Sequence, residues 1–477
     1  MLRIGVLFTL AVTPAFGAGN APFLASANGL DTVSPLAQGH EARTPPESKN
    51  DIEARGETLT LEHAIALALE KNRQVQNAVL DVAKSNDQVE SGKTQLLPQF
   101  QLAVTPSYRL SPIDLTFQQG VFGTYPAPVG PVPSQNTTLT TDRGYTTAIE
   151  ASVVQPLSQL YKTELSIEQL GVGTDMSRQD LRNQRQTIVN NVKQAYFAVL
   201  QSQSSLTALQ EQVTSSREIV RVVTEQSGEQ TALRPTLLQA QASLAQSEYS
   251  VSATRHTLAS QKEQLNYLLG RDPETPFQVS EVPQATSLQN NLAAAREAAL
   301  RQRPDLQKAR LNIRYADYSV SLKRAEYIPD VSLVYKYIAP VTSDVLPQSI
   351  SYIGLELSWD VFDWGKKQHD LAQLVRARDQ AQNSADDLAS QVVLDVNSSF
   401  RKLEDARRYV KVAELNRDAA RAQLQVTMSE FRQQTALLKD LLSAQSSLAQ
   451  ANDQYRQGVL NFWAARSNFE QAIGTGD

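Results

Sequence analysis

Residues Gln230–Gln246, QTALRPTLLQAQASLAQ, recur as Gln434–Gln450, QTALLKDLLSAQSSLAQ, with 12 identities in 17 ungapped positions. The same offset of 204 lays Gly270 on Gly474. A second offset, 231, overlays Leu61–Val104 on Leu292–Tyr335 and matches Ala64 with Ala295, Ala68 with Ala299, Leu80 with Leu311 and Pro98 with Pro329. The offsets differ by 27, so one insertion in the first copy separates the two registers. A chain written twice builds a pseudo-symmetric object. Its 477 residues are therefore read as one architecture in two halves, not as about three ordinary domains.

Each copy follows one order. Thr60 stands where its hydroxyl can accept from an unpaired first-turn amide and cap a helix starting at Leu61. That helix resumes after Asn72 and runs toward Pro98; its copy runs from Asn291 to Ile328, broken at Pro304 and ended by Pro329. Beyond each proline the hydrophobic period changes from helical to two. Phe100, Leu102, Val104 and Tyr108 alternate with Gln101, Ala103, Thr105 and Ser107, and Tyr145, Thr147, Ile149, Ala151 and Val153 return against Thr146, Ala148, Glu150 and Ser152. In the second copy Val331, Leu333, Tyr335 and Tyr337 alternate with Ser332, Val334 and Lys336, then Ile353, Leu355, Leu357 and Trp359 with Gly354, Glu356 and Ser358. These patterns predict strands at about 99–109, 145–155, 331–338 and 351–360.

Strands of about ten residues with a dyad pattern are those of a transmembrane β-barrel. A half-buried soluble sheet carries the same alternation, but the Tyr and Trp near the strand ends favour the membrane, with Trp359 expected at a lipid interface. The 27-residue insertion falls at 105–147, read as a long proline-rich loop, against a turn within about 342–350 in copy two.

Long helices follow. Ile188, Val192, Ala195, Val199, Ser202, Leu206, Leu209, Val213, Ser216, Val220 and Val223 step by four and three, a sustained heptad seam. Adding 204 gives a weaker version from Val392 to Thr427. The antiparallel partner carries Leu237, Leu244, Val251, Leu258 and Leu265, echoed by Leu441, Leu448, Tyr455, Phe462 and Phe469. A helix from Thr163 to Gly228 would be about 100 Å long, wider than a globular domain.

Composition bounds the remaining classes. Hydrophobic residues make up 41% but aromatics only 6%, which suits an elongated object with much wet surface. A net charge of −5, with acids and bases mixed throughout, leaves no polycationic surface for nucleic acid. The absence of cysteine excludes a disulfide framework, a thiolate metal site and a lipid-anchored N-terminal Cys, and fits an oxidising compartment. Residues 1–18, with Arg3, an apolar run Ile4–Val12 and small residues around Ala15–Ala18, have the pattern of a secretory signal peptide. Residues 19–56 read as an extended or disordered leader. No later stretch approaches the roughly 20 apolar residues of a spanning helix, so contact with a bilayer must be through strands.

Four strands cannot close a barrel and open edges are not tolerated in lipid, so at least two chains must pool strands; three would supply twelve. The order helix–Pro–strand–loop–strand–long helix–turn–long helix–Gly, occurring twice, resembles the TolC-type outer-membrane efflux channel family. LTLEHAIALALEKN at Leu59–Asn72, QLLPQF around Pro98, LSWDVFDWGKK at Leu357–Lys367 and TALLKDLLSAQSSLAQANDQY at Thr435–Tyr455 carry the resemblance, which covers about residues 57–474. It implies an α+β membrane protein: a homotrimer sharing a 12-stranded outer-membrane β-barrel, four strands per protomer, joined to a long periplasmic α-helical barrel. On that plan repeat one is 57–270 with a helical hairpin at 163–270, 271–290 is a linker, and repeat two is 291–474 with a hairpin at 366–474. The resemblance also implies a periplasmic adaptor (membrane fusion) protein and an inner-membrane transporter, proton-driven or ABC, as partners, and outer-membrane lipid around the barrel. Cofactors, metals and nucleic acid have no place in it. Many members carry a lipidated N-terminal Cys; this chain does not, which rests anchoring on the barrel.

A conduit works by electrostatics and steric gating. In relatives acidic residues near the periplasmic helix tips form a ring in the lumen, and Asp440 matches one such position; Ser443 stands where some members carry a second acid, and Thr236 is the copy-one equivalent of Asp440. One ring of three carboxylates follows, against the alternative of a solvated charge near a turn. Thr231, Ala232 and Leu233 are identical to Thr435, Ala436 and Leu437 at the hairpin tips; they either meet an adaptor or simply close the hairpins. Glu150 and Glu356 take inward strand positions, where they give the pore a mild cation preference or only solvate its wall.

Enzyme readings lack a constellation. His40, His63, His256 and His369 are scattered, Gly171-Val172-Gly173 is not a phosphate loop, and Asp386-Asp387 lies on a polar helix face. The reading is therefore a non-enzymatic exit duct of a tripartite efflux system, with the duct of a type I protein secretion system as runner-up. From another class, a periplasmic adaptor would need a lipoyl-like pair of short β motifs, and a structural coiled-coil protein would not need two alternating hairpins.

Overall fold

Thr60 starts the first helix because its Oγ1 accepts the His63 N–H at 3.2 Å. The structure is a computed structural model that describes residues 57–228, 234–280, 291–340, 349–433 and 435–475. The signal-peptide and leader readings, the tip residues Thr231, Ala232 and Leu233, the second half of the linker and most of the copy-two turn lie outside the described residues.

Copy one begins with β1 (Glu57–Leu59), α1 (Leu61–Lys71) and α2 (Arg73–Thr94). Asn72 makes the joint between the two helices. Its Oδ1 accepts the Gln74 N–H at 2.9 Å and the Val75 N–H at 3.4 Å, while its Nδ2 donates to the Leu268 carbonyl at 2.8 Å. Next come β2 (Gln99–Arg109), an extended hairpin, and β7 (Gly144–Pro156). The stretch expected as a plain loop is itself built: β3 (Ile113–Phe117) pairs with β6 (Thr137–Thr141), and β4 (Thr124–Tyr125) with β5 (Gly130–Pro131). The physical reason is the five-residue Thr-rich run at 137–141, a β-prone stretch, which sequence reading submerged in the surrounding prolines.

α3 (Gln159–Gly228) is 70 residues long, about 105 Å at the helical rise. Gly171 and Gly173 sit inside it, not at a strand-to-helix turn. α4 (Arg234–Leu268) returns along α3, and α2 packs on α3 as well. After β8 (Phe277–Val279), which pairs in parallel with β1, the plan repeats. It runs through α5 (Leu292–Gln302), α6 (Pro304–Ala325), β9 (Asp330–Pro340), β10 (Ile350–Ser358), α7 (Lys366–Arg432, 67 residues) and α8 (Leu438–Ile473).

The duplication survives in the cores. One cluster holds Ala64, Ala68, Ile188, Val192, Val199 and Leu265; the other holds Ala295, Ala299, Val392, Val396, Leu403 and Phe469, the same positions at offsets 231 and 204. The heptad seams supply Ile188, Val192, Val199 and Leu265 to the first and Val392, Val396, Leu403, Phe462 and Phe469 to the second. One position differs with consequence. Tyr196, fully buried, donates its hydroxyl toward the Leu59 carbonyl at 2.9 Å and the Ser280 carbonyl at 2.8 Å, tying the β1–β8 ribbon to α3. Its copy is Phe400, which packs against Phe469 with ring centroids 5.7 Å apart. The described residues of copy two contain no such ribbon.

Candidate functional site

β10, β9, β7 and β2 form one antiparallel sheet in that order. At 9, 11, 13 and 11 residues they are long enough to cross a hydrocarbon core when tilted. The registers put the two sets of alternating residues on opposite faces. Phe100, Val153, Tyr335 and Ile353 form one row of an apolar face, and Gln101, Ser152, Lys336 and Tyr352 the neighbouring row of the other. Phe100 is 78% and Leu355 70% exposed in the single chain, too apolar a surface for water. β2 and β10 are edges with no further partner among the described residues, so one chain leaves the wall open at both sides.

Glu150 lies opposite Ala103 and Ile338, and Glu356 opposite Ser332, both on the polar face. Lys336 shares that face one row from Glu150, opposite Ser152. Strand parity alone, which sets Lys336 against Tyr335 and Tyr337, places this cation on the polar face. Ile338 and Tyr352 interrupt the polar character of the face.

At the other extreme α7 turns into α8. Thr435 closes the end of α7: its N–H and Oγ1 each donate to the Glu430 carbonyl at 2.9 Å, and the Ala436 N–H follows at 3.4 Å. Leu437 takes the N-cap of α8, 61% exposed and without a side-chain acceptor. Asp440 supplies what is missing. Its Oδ2 accepts the Leu437 N–H at 3.2 Å while its own N–H donates to the Leu437 carbonyl at 2.9 Å. An anionic side chain there is also favoured by the helix dipole. Ser443, one turn on, is exposed, and its carbonyl accepts the Ser447 hydroxyl at 2.9 Å. The structure thus brings Asp440, Ser443, Thr435, Ala436 and Leu437 together at one tip, apart from Glu150 and Glu356 on the sheet.

Among the described residues no group of three or more His, Cys, Asp or Glu is placed to hold a metal ion, and no helix is long and apolar enough to cross a membrane. The second statement says nothing of strands.

The profile of the family described as outer membrane efflux protein matches residues 64–271 and 295–475, one segment per repeat. The chain is similar to the alkaline protease secretion protein AprF of Pseudomonas aeruginosa, 22% identical over 413 residues that span 84% of this chain and 81% of that one. It is equally similar to the outer membrane efflux protein BepC of Brucella suis, 22% identical over 408 residues, 83% of this chain and 80% of the other. Its fold matches the Campylobacter jejuni CmeC outer membrane channel with a TM-score of 0.71 at 16% identity, covering 87% and 86% of the two chains. It matches the outer-membrane channel OprN at 0.68 and 16% identity, covering 91% and 98%. With both repeats matched and the TolC-type fold in place, the chain belongs to the outer membrane efflux protein family and is an outer-membrane channel for efflux or secretion.

Proposed function

We propose that the protein is the exit duct of a tripartite efflux system. Three copies pool their sheets into one barrel of twelve strands and pass small molecules from the periplasm, or from an inner-membrane pump, to the exterior. A periplasmic adaptor engages the helical tips at Thr231–Leu233 and Thr435–Leu437. The observation that carries this reading is the pair of edges, β2 and β10, without a further partner among the described residues, on a sheet with one apolar face: a sister edge satisfies the backbone groups that lipid cannot.

The polar face then lines the lumen, where Glu150 and Glu356 oppose Lys336. Asp440 contributes one carboxylate per copy to a ring at the periplasmic end, and Ser443 leaves that ring single. Its hydrogen bond to Leu437 and a role in the ring are compatible, because the N-cap bond engages one oxygen of two. Likeness to BepC and to the efflux channels of known structure supports efflux. A secretion duct is the second reading, favoured by likeness to AprF, which is named for protease secretion.

Deleting the gene separates the two. Heightened sensitivity to drugs, dyes or metals with an unaltered secretome is expected. Loss of a secreted protein with unaltered sensitivity would transfer the channel to protein secretion, and a purified polypeptide that is single and detergent-independent would end the duct reading.

A further inference from the structure

α8 packs between α3 and α7, and where it ends against the α5–α6 joint the three helices leave a cleft of about 390 Å³. That volume suits a small organic molecule better than a lone ion. α7 lines it with Asp395, Ser398, Ser399 and Lys402, α3 faces them with Asn183, and Arg303 comes from the joint. Among the described lining residues only Ala472 is apolar.

The fold does not demand this polarity, and the duplication supplies the control. Copy one carries Ala195 in place of Ser399, Ala198 in place of Lys402 and Leu268 in place of Ala472. Ala195 packs against the first core, and alanine is the better helix former at both α7 positions. The polar groups of copy two are also left free. Ser384 and Ser390, on the same helix, donate to the carbonyls four residues back at 2.8 Å and 3.1 Å. Ser398 and Ser399 make no such bond among the described residues, so their hydroxyls can turn into the cleft. Two acids stand close, but Arg303 engages both, Asp395 at 3.0 Å and Asp305 at 3.1 Å. Lys402 has no ion pair among the described residues and lies one turn from Ser398 and Ser399, on their side of the helix.

We propose that this cleft is a binding site for a polar organic solute carrying an oxyanion, one site per chain. The Lys402 ammonium and the Ser398 and Ser399 hydroxyls take the anionic group, as charge-assisted bonds favour. The Asn183 amide, across the cleft, is left for the uncharged body of the solute. The orientation of the cleft follows from the helix. α5 packs on the other flank of α7, where the Arg296 Nε donates to the Asn397 Oδ1 at 2.6 Å. Ser398 and Lys402 lie about 100° and 140° round the helix from Asn397. A short helix inside a duct would obstruct it, so α5 stands outside the wall and the cleft opens inward, at mid-height of the helical part. This placement on the conducting path rests on the trimeric duct proposed above; the binding itself does not.

Isothermal titration of the full-length protein in detergent tests the site. Inorganic phosphate should bind once per chain, glucose 6-phosphate should bind more tightly, and glucose should give no heat at the same concentrations. The double variant Ser399→Ala/Lys402→Ala writes the copy-one residues into copy two, so it should fold as the parent does and bind both phosphates at least about tenfold more weakly. Should it fail to assemble, Lys402→Gln alone is read in the same titration. Phosphate affinity unaltered by these substitutions, absence of binding, or glucose bound as tightly as glucose 6-phosphate would overturn the site. Inorganic phosphate bound as tightly as glucose 6-phosphate would reduce the ligand to a free anion and refute the organic solute. In planar bilayers glucose 6-phosphate should lower the conductance of the wild type and not of the double variant. Binding in the titration without that block would overturn the inward placement. A single chain by light scattering would instead end the trimeric duct and leave the titration standing.

Discussion

Gly270 and Gly474 are one position in the two repeats, and substituting alanine at each yields a comparison whose outcome the geometry dictates. Both glycines are left-handed, with φ of 71° and 85°, and each ends the last helix of its repeat against the joint between two short helices. A Cβ on Gly270 would lie 2.6 Å from the Lys71 carbonyl carbon, closer still to its oxygen, and 3.1 Å from the Asn72 nitrogen. On Gly474 the nearest atoms would be the Arg303 Cα at 3.0 Å and nitrogen at 3.1 Å. The conformational penalty of about 1–2 kcal/mol is common to both, as is the gain of about 0.4–1 kcal/mol from a stiffer unfolded chain. The difference is therefore steric. Overpacking costs about 1–3 kcal/mol; Gly270→Ala, pressed on the Lys71 carbonyl beside a joint that the Asn72 side chain ties to the Leu268 carbonyl, takes the upper end, and Gly474→Ala the lower.

A gap of about 2 kcal/mol is roughly a thirtyfold difference in unfolding rate if the joint opens before the transition state. Membrane proteins unfold irreversibly often enough that the rate is the quantity to follow: loss of helical circular dichroism in guanidinium, on detergent-solubilised protein. Gly270→Ala unfolding no faster than Gly474→Ala would refute the reasoning, because the only term separating them is the closer approach.

Three further outcomes are expected. Asp440→Asn retains an acceptor for the Leu437 N–H and removes the charge, so stability should fall by under about 1 kcal/mol while cation block in planar bilayers disappears; Asp440→Ala should lose block and also about 1 kcal/mol of cap. Unaltered block in Asp440→Asn locates the ring elsewhere. Tyr196→Phe leaves the Leu59 and Ser280 carbonyls without their phenol donor and should cost about 1–3 kcal/mol in denaturant titrations. Burial pushes the Tyr196 phenol above its ordinary 10.0, so folding stability should be full below that pH and fall as pH rises past it, where the unfolded phenol ionises first; Phe at 196 should weaken this alkaline decline. In reversal-potential measurements Lys336→Gln should raise cation preference and Glu150→Gln lower it, since the registers place both on the polar face; shifts of the same sign would contradict that shared face.

Much of the fold was written locally. The alternation Phe100–Leu102–Val104 against Gln101–Ala103–Thr105 determines two faces because side-chain direction in a strand has a period of two, and the seam Ile188–Val192–Val199 determines a buried stripe because helical period is equally local. The repeat offsets even pair the two cores in advance, Ile188 with Val392 and Leu265 with Phe469. The candidate site was legible to the same extent: Glu150 and Glu356 fall on the polar face by parity, and Thr435 to Asp440 are neighbours in sequence as in space.

What the tertiary structure alone decided depends on contacts between segments far apart in the chain. Identical spacing cannot say that Asn72 bonds Leu268 while its copy, Arg303, instead pairs with Asp305 and Asp395 at 3.1 Å and 3.0 Å. Nor can it say that the Tyr196 hydroxyl ties down a β1–β8 ribbon while Phe400 packs on Phe469, or that Asp440 is bonded to the backbone of its own helix start. Periodicity reports which side of an element is apolar. Which polar atom finds a partner is set only when elements as far as 196 residues apart are brought within 3 Å, and that is a property of the packed chain.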